Sequence, residues 1–193
     1  MAAVTELIWT SSYGATTIDQ ICERAGVKKG SFYYFFESKA TLAEEAIRAG
    51  WKEYRARLDV LFSASLPALE RIHRYCDFEY QQQLELKRRY GHALGCPLCT
   101  LGTEISTLEA NLRHTVNEVM DQTRRYFETT IRDAQAEGAI RVSDPAAKAA
   151  SIYAYVEGLL TQARIRDDVE SLREMESGIL DILGVHSPAN ACA

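Results

Sequence analysis

Apolar residues recur at helical spacing along almost the whole chain, with no sustained alternation of apolar and polar positions and no Asn-Gly or Asp-Gly hairpin signal. The pattern predicts an all-α fold of about nine helices. A first helix is expected from near Ala3 to Ser12, ending at Tyr13-Gly14. Thr17 then precedes an apolar stripe of Ile18, Ile21, Cys22 and Ala25, and Gln20 stands where it completes a capping box with Thr17. Gly26 stops that second helix, and Lys29 through Phe36 begins a short aromatic one. Helix, glycine turn and helix together make the helix-turn-helix pattern.

Ser38 caps a longer helix whose core face is Leu42, Ala46, Trp51, Tyr54, Leu58 and Leu61, long enough to leave the small N-terminal module and enter a larger body. Leu66-Pro67 restarts the chain, and the following helix runs to about Arg89 before Tyr90-Gly91 and Gly95-Cys96-Pro97 break it. A long helix is expected from near Leu108 through Val119, Phe127 and Ile131 to Gly138. Asp144-Pro145 opens another helix, with Ala149, Ala150, Ala154 and Gly158 allowing close backbone approach, and Leu172, Ile179 and Leu183 stripe the last. The domain reading is a helix-turn-helix module over 1–50, a helical effector-binding and dimerisation body over 51–184, and a flexible tail over 185–193.

Composition is that of an ordinary soluble globular chain, 47% apolar and 25% charged over 193 residues, which excludes a disordered protein. No apolar run reaches the roughly 18 residues of a membrane span, and the start lacks a signal-peptide pattern, so a cytoplasmic location is expected. Five cysteines are an odd number without an export signal, which suits free thiols in a reducing compartment. A net charge of −5 argues against nucleic acid as a partner until its distribution is considered. Between Arg24 and Lys39, however, Arg24, Lys28, Lys29 and Lys39 stand against Glu37 alone, a local basic patch in an acidic protein.

Read in order, Tyr13-Gly14-Ala15-Thr16-Thr17-Ile18-Asp19-Gln20-Ile21, Ala25-Gly26-Val27 and Gly30 through Lys39 resemble the DNA-binding domain of the TetR family. In the body, Gly95-Cys96-Pro97-Leu98 followed by Leu101 and Glu104 is similar to the Gly-Cys motif of family members that sense electrophiles and oxidants, and Val156 through Ile165 is similar to that branch's dimer-forming helix. The resemblance implies a homodimeric repressor that binds a palindromic double-stranded operator and is released by a small-molecule effector or by cysteine modification, with no cofactor and no catalytic role. Two departures stand out. No Lys or Arg precedes Arg24, where the family often has a fuller first helix with a basic arm, so either the start is truncated or DNA affinity is reduced. Phe35 stands where the family commonly has a Tyr or His on a phosphate, and a phenyl ring cannot donate that hydrogen bond.

The third helix should present Lys28, Lys29, Ser31 and Tyr34 to base edges, with Thr17, Tyr33 and Lys39 on phosphates and Phe32 and Phe36 in the core. Taken singly, a Lys-Lys pair is equally a solvated surface and aromatics at helical spacing equally packing. Cys96 and Cys99 flank the start of a short helix, where amide dipoles favour a thiolate; the same pair could be small buried side chains, or with His92 part of a zinc set that lacks a fourth ligand. Tyr75, Phe78, Asn117, Met120, Tyr153 and Glu157 are candidates for an effector pocket. Cys96-Pro97-Leu98-Cys99 also has the spacing of a thiol-disulfide oxidoreductase, but that motif belongs beside a strand, and none is expected. A TetR-like binding protein that has lost DNA binding is the remaining alternative.

Overall fold

Helix boundaries fall where the sequence can satisfy unpaired backbone groups. The computed structural model describes residues 2–105 and 109–185. Its helices are α1 (Ala2–Thr10), α2 (Ile18–Ala25), α3 (Lys29–Phe35), α4 (Lys39–Leu61), α5 (Ala68–Tyr90), α6 (Pro97–Ile105), α7 (Ala110–Ala136), α8 (Pro145–Arg166) and α9 (Met175–Leu183), with a 3-10 turn over Glu170–Glu174. No strand occurs among the described residues, so the fold is all-α as the periodicity predicts. Leu108, the expected start of the long helix, Cys192 and all of the expected tail except Val185 lie outside the described residues.

The predicted punctuation is present. Thr17 Oγ1 accepts from the Gln20 N–H while Gln20 Oε1 accepts from the Thr17 N–H, the reciprocal capping box of α2. Gly26 ends α2 in the left-handed region at φ 67°, and its N–H reaches back to the Cys22 and Glu23 carbonyls. Asp144 caps α8 through the Ala147 N–H, with Pro145 at the first helical position.

The helices gather into two compact units that do not follow chain order. Described residues of Met1–Ala56 and Cys96–Asp121 form one, and those of Arg57–Gly95 and Gln122–Ala193 form the other. α4 and α7 each contribute their first part to the first unit and the remainder to the second. The expected division at residues 50 and 51 therefore differs from the packing: α6 and the start of α7, read from sequence as body, are built into the unit that carries the helix-turn-helix. The reason is apolar burial. Leu101 and Ile105 of α6 and Leu112 and Val116 of α7 join Val4, Ile8, Tyr13, Ile21, Phe32, Leu42 and Ala46 in one buried cluster.

In the second unit, Phe62, Tyr75, Tyr126 and Phe127 form a ring cluster with centroids 5.0–5.4 Å apart. Arg71 is only 3% exposed; it reaches Asp133 Oδ2 at 2.5 Å through Nη1 and donates to the Leu66 carbonyl through Nε. The segment after α5 is fixed at several points. Gln83, 1% exposed, uses both ends of its amide on Gly95, accepting from the N–H at 2.9 Å and donating to the carbonyl at 3.1 Å. Arg164 donates to the Leu94 carbonyl and Asp167 accepts from the Ala93 N–H.

Gly95 must be glycine on two counts. Its φ is +63°, and a Cβ there would lie 2.7 Å from the Leu160 carbonyl oxygen. Gly138 shares the positive φ, at +75°, but a Cβ there would meet nothing within 4 Å. Gly138→Ala should therefore cost only the backbone term of about 1–3 kcal/mol. Gly95→Ala should cost clearly more, because the Leu160 carbonyl must also move. Urea unfolding midpoints of the two variants test the difference, and equal losses would show that the close approach is relieved at no cost.

Candidate nucleic-acid interface and thiol site

α3 has seven residues and one buried anchor, Phe32, which meets Tyr33 edge-on and lies 5.8 Å from Phe36 between ring centroids. Phe36 packs against the same core, as expected. The remaining positions turn outward: Lys28, Lys29, Gly30, Ser31, Tyr33, Tyr34 and Phe35 are all exposed. The four residues expected on the base side, Lys28, Lys29, Ser31 and Tyr34, are thus brought to one short element with free access to a groove.

Their chemistry is less uniform than the sequence suggests. Lys29 Nζ lies 2.8 Å from Asp19 Oδ1, and the hydrogen bond to that carboxylate holds the ammonium above its usual pKa range. Both partners are solvated, so the pair contributes little to stability and its partner can be exchanged for a phosphate. Lys28 occupies the N-cap position of α3 without a side-chain capping bond.

The phosphate-side candidates divide. Tyr33 is exposed. The Thr17 hydroxyl is engaged within the capping box. Lys39, expected on a phosphate, is instead held inward: Nζ donates to the Tyr13 carbonyl at 2.7 Å and the Thr16 carbonyl at 2.9 Å, and it stands 4.2 Å from the centroid of the Tyr13 ring. An ammonium has three donors, so one remains for an anion. Lys39 thereby also clamps the turn between α1 and α2. Tyr13, beneath it, is buried, and burial together with the nearby Glu109 charge pushes its hydroxyl up to about 12.

A second fastening holds the same turn from far along the chain. Glu104 of α6 accepts a hydrogen bond from the Gly14 N–H at 2.9 Å, and α6 packs on α1. Sequence reading placed Glu104 in a motif without giving it a contact, since residues 90 positions apart leave no local signal of pairing. α4 is tied to α7 in a similar way, with Arg48 beside Glu44, Thr115 and Glu118.

Cys96 immediately precedes α6 and Cys99 lies in its first turn; the Cys96 carbonyl accepts from the Thr100 N–H and hydroxyl. Of the four described cysteines these two are partly accessible, whereas Cys22 and Cys76 are buried. Burial pushes the Cys76 thiol well above its usual range, so it stays protonated. His92, considered with these cysteines as a zinc set, belongs to the other unit and faces Asp167.

The expected pocket residues are divided between the two units. Met120 packs on the core of the first unit, and Asn117, expected to line a pocket, is exposed on α7. Tyr75, Phe78, Tyr153 and Glu157 belong to the second unit. There Tyr75 and Tyr153 are buried, Phe78 carries the Arg57 guanidinium over its ring at 5.9 Å, and Glu157 is half-buried. Asn117 falls outside because the apolar face of α7 is set by Leu112, Val116 and Val119.

Comparison with known proteins decides what this arrangement belongs to. Residues 1–46 match the family model described as bacterial regulatory proteins of the tetR family, and residues 68–179 match that of a tetracyclin repressor-like C-terminal domain. The chain belongs to the TetR family. It is 29% identical over 163 residues to the transcriptional regulator AcuR of Cereibacter sphaeroides, covering 83% of this chain and 72% of that one. It is 26% identical over 172 residues to the transcriptional repressor NemR of Escherichia coli, covering 86% and 82%. A crystal structure of a TetR regulatory protein from Rhodobacter sphaeroides superposes with a TM-score of 0.79 at 29% identity, covering 92% of this chain and 93% of that one. The protein is therefore a transcriptional regulator of TetR type with a DNA-binding helix-turn-helix, not an enzyme. The oxidoreductase alternative falls with that assignment. No described helix is long and apolar enough to cross a membrane.

The double role of the Lys39 position can be separated experimentally. Lys39→Met should lower the unfolding free energy by about 1–2 kcal/mol, because two carbonyls lose a charged donor. A residue that only touched phosphate would leave unfolding unchanged and reduce the salt dependence of DNA binding by about one charge. Thermal melts set beside binding measured across a salt series distinguish the two.

Proposed function

We propose that this TetR-family protein is a repressor that binds a palindromic operator as a homodimer and releases it when Cys96 is covalently modified. The observation that carries the reading is the membership of α6: the helix that follows Cys96 is built into the same unit as the reading head, through Leu101, Ile105 and the Glu104 contact to Gly14. An adduct at the start of α6 changes the volume beside a helix that the head needs for its own core. Partial accessibility of Cys96 and its place ahead of α6 support it as the reacting thiol. The repressor name of the relative NemR agrees with this reading. Two-fold symmetry follows from the need to place two reading heads on successive major-groove faces of a palindrome.

In the reaction, the Cys96 thiolate adds to an activated carbon–carbon double bond, a sulfur–carbon bond forms, and a proton is taken up at the neighbouring carbon. The adduct releases DNA only to the extent that it is better accommodated in the non-binding form than in the binding one. A tenfold loss of operator affinity requires about 1.4 kcal/mol of such a difference.

N-Ethylmaleimide supplies the test. Treated wild type and Cys99→Ser should lose operator affinity by tenfold or more, while treated Cys96→Ser should retain it, with adduct stoichiometry read by intact-protein mass. If all three lose DNA equally, or none responds, the thiol switch fails. A reversible effector held by Tyr75, Phe78, Tyr153 and Glu157 then becomes the better account of release.

A further inference from the structure

The reading helix is poor in hydrogen-bonding side chains and rich in exposed rings. Tyr34 is 82% exposed and Phe35 71%, and the two rings meet edge to face with centroids 4.8 Å apart. Residues two positions apart lie about 200° round a helix, so Gly30 and Tyr34 straddle the point opposite the buried Phe32. Gly30 has no side chain, and a Cβ there would meet nothing within 4 Å, so the centre of the outward face is open backbone beside the Tyr34 ring. Phe35 has neither donor nor acceptor. The hydrogen-bonding groups left on the exposed part of α3 are the Ser31, Tyr33 and Tyr34 hydroxyls and Lys29, which already faces Asp19.

Single exposed apolar residues are common and need no explanation, but adjacent exposed rings on a seven-residue helix that carries the reading surface form a patch. The patch is continuous with Lys28 and Ser31, so the surface it meets is the one those groups meet. In the major groove of duplex DNA the apolar feature presented by the natural bases is the C5-methyl group of thymine. The geometry points to Phe35, braced by the Tyr34 ring, as a specificity-determining residue that reads thymine methyl groups in the operator half-site. This rests on the helix-turn-helix binding duplex DNA and is independent of how release occurs. It also gives Phe35 a role in recognition where a hydrogen bond to phosphate is chemically impossible.

The test begins by selecting duplexes from a random-sequence library with wild-type protein. Each thymidine of an enriched duplex is then replaced by deoxyuridine, which removes the methyl group and leaves base pairing intact. At one or two positions per half-site, wild type should lose roughly fourfold in affinity for each methyl removed, the effect of one buried methylene-sized group. Phe35→Ala should bind the thymidine and deoxyuridine duplexes equally at those positions. Because Phe35 is exposed, the variant should fold normally, which circular dichroism and thermal melting check. If wild type is indifferent to deoxyuridine everywhere while Phe35→Ala is uniformly weaker, the ring packs on sugars and the inference is overturned. It is equally overturned if Phe35→Ala keeps the full deoxyuridine penalty at the same positions. A library from which no duplex is enriched would overturn both this inference and the DNA-reading function beneath it.

Discussion

The reading head depends on borrowed apolar surface. α2 has eight residues and α3 seven, and such short helices cannot close a core by themselves. Leu101 and Ile105 of α6, with Leu112 and Val116 of α7, supply what the first four helices lack. The head is thus a composite of two stretches of chain, and part of its core comes from the helix that follows a partly accessible thiol. On the proposed reading, release would need no long path of coupled side chains, because α6 supplies part of the reading unit's interior.

Around that core, polar fastenings decide the details. Lys39 and Glu104 act on adjoining backbone positions of one turn, the cation on the carbonyls of Tyr13 and Thr16, the carboxylate on the N–H of Gly14. The turn therefore has its donors and acceptors answered by side chains of opposite charge from α4 and α6. Such charge-assisted bonds to backbone are stronger than neutral ones and have directional requirements that apolar contacts lack. They fix the orientation in which α2, and α3 after it, are presented.

Much of this was legible in the sequence, and the limits are instructive. The capping box at Thr17 and Gln20, the Gly26 stop and the Asp144-Pro145 start are local signals, and each stands where the pattern puts it. The helix-turn-helix and the placement of Phe32 and Phe36 follow from the same short-range rules. What sequence reading missed involves partners far apart in the chain: the recruitment of α6 to the head, the Glu104 contact and the inward commitment of Lys39. A lysine beside a reading helix looks the same in sequence whether its ammonium points to solvent or to two carbonyls. Asn117 shows the related difficulty for pockets, because a polar residue within an apolar stripe marks neither face until the register of α7 is known.

The Gln83 amide has a consequence for the conditions under which such a protein keeps time with its surroundings. It is a neutral group, buried, and bonded to both polar atoms of Gly95, the last residue before Cys96. An ion pair at that place would weaken with salt and with acid, and the entry of the chain into α6 would drift with the ionic state of the cell. An amide does not titrate and is hardly screened. The Gly95 backbone ahead of α6 therefore keeps its hold through changes of salt and acid that would weaken the charged bonds of Asp167 to Ala93 and of Arg164 to Leu94 beside it.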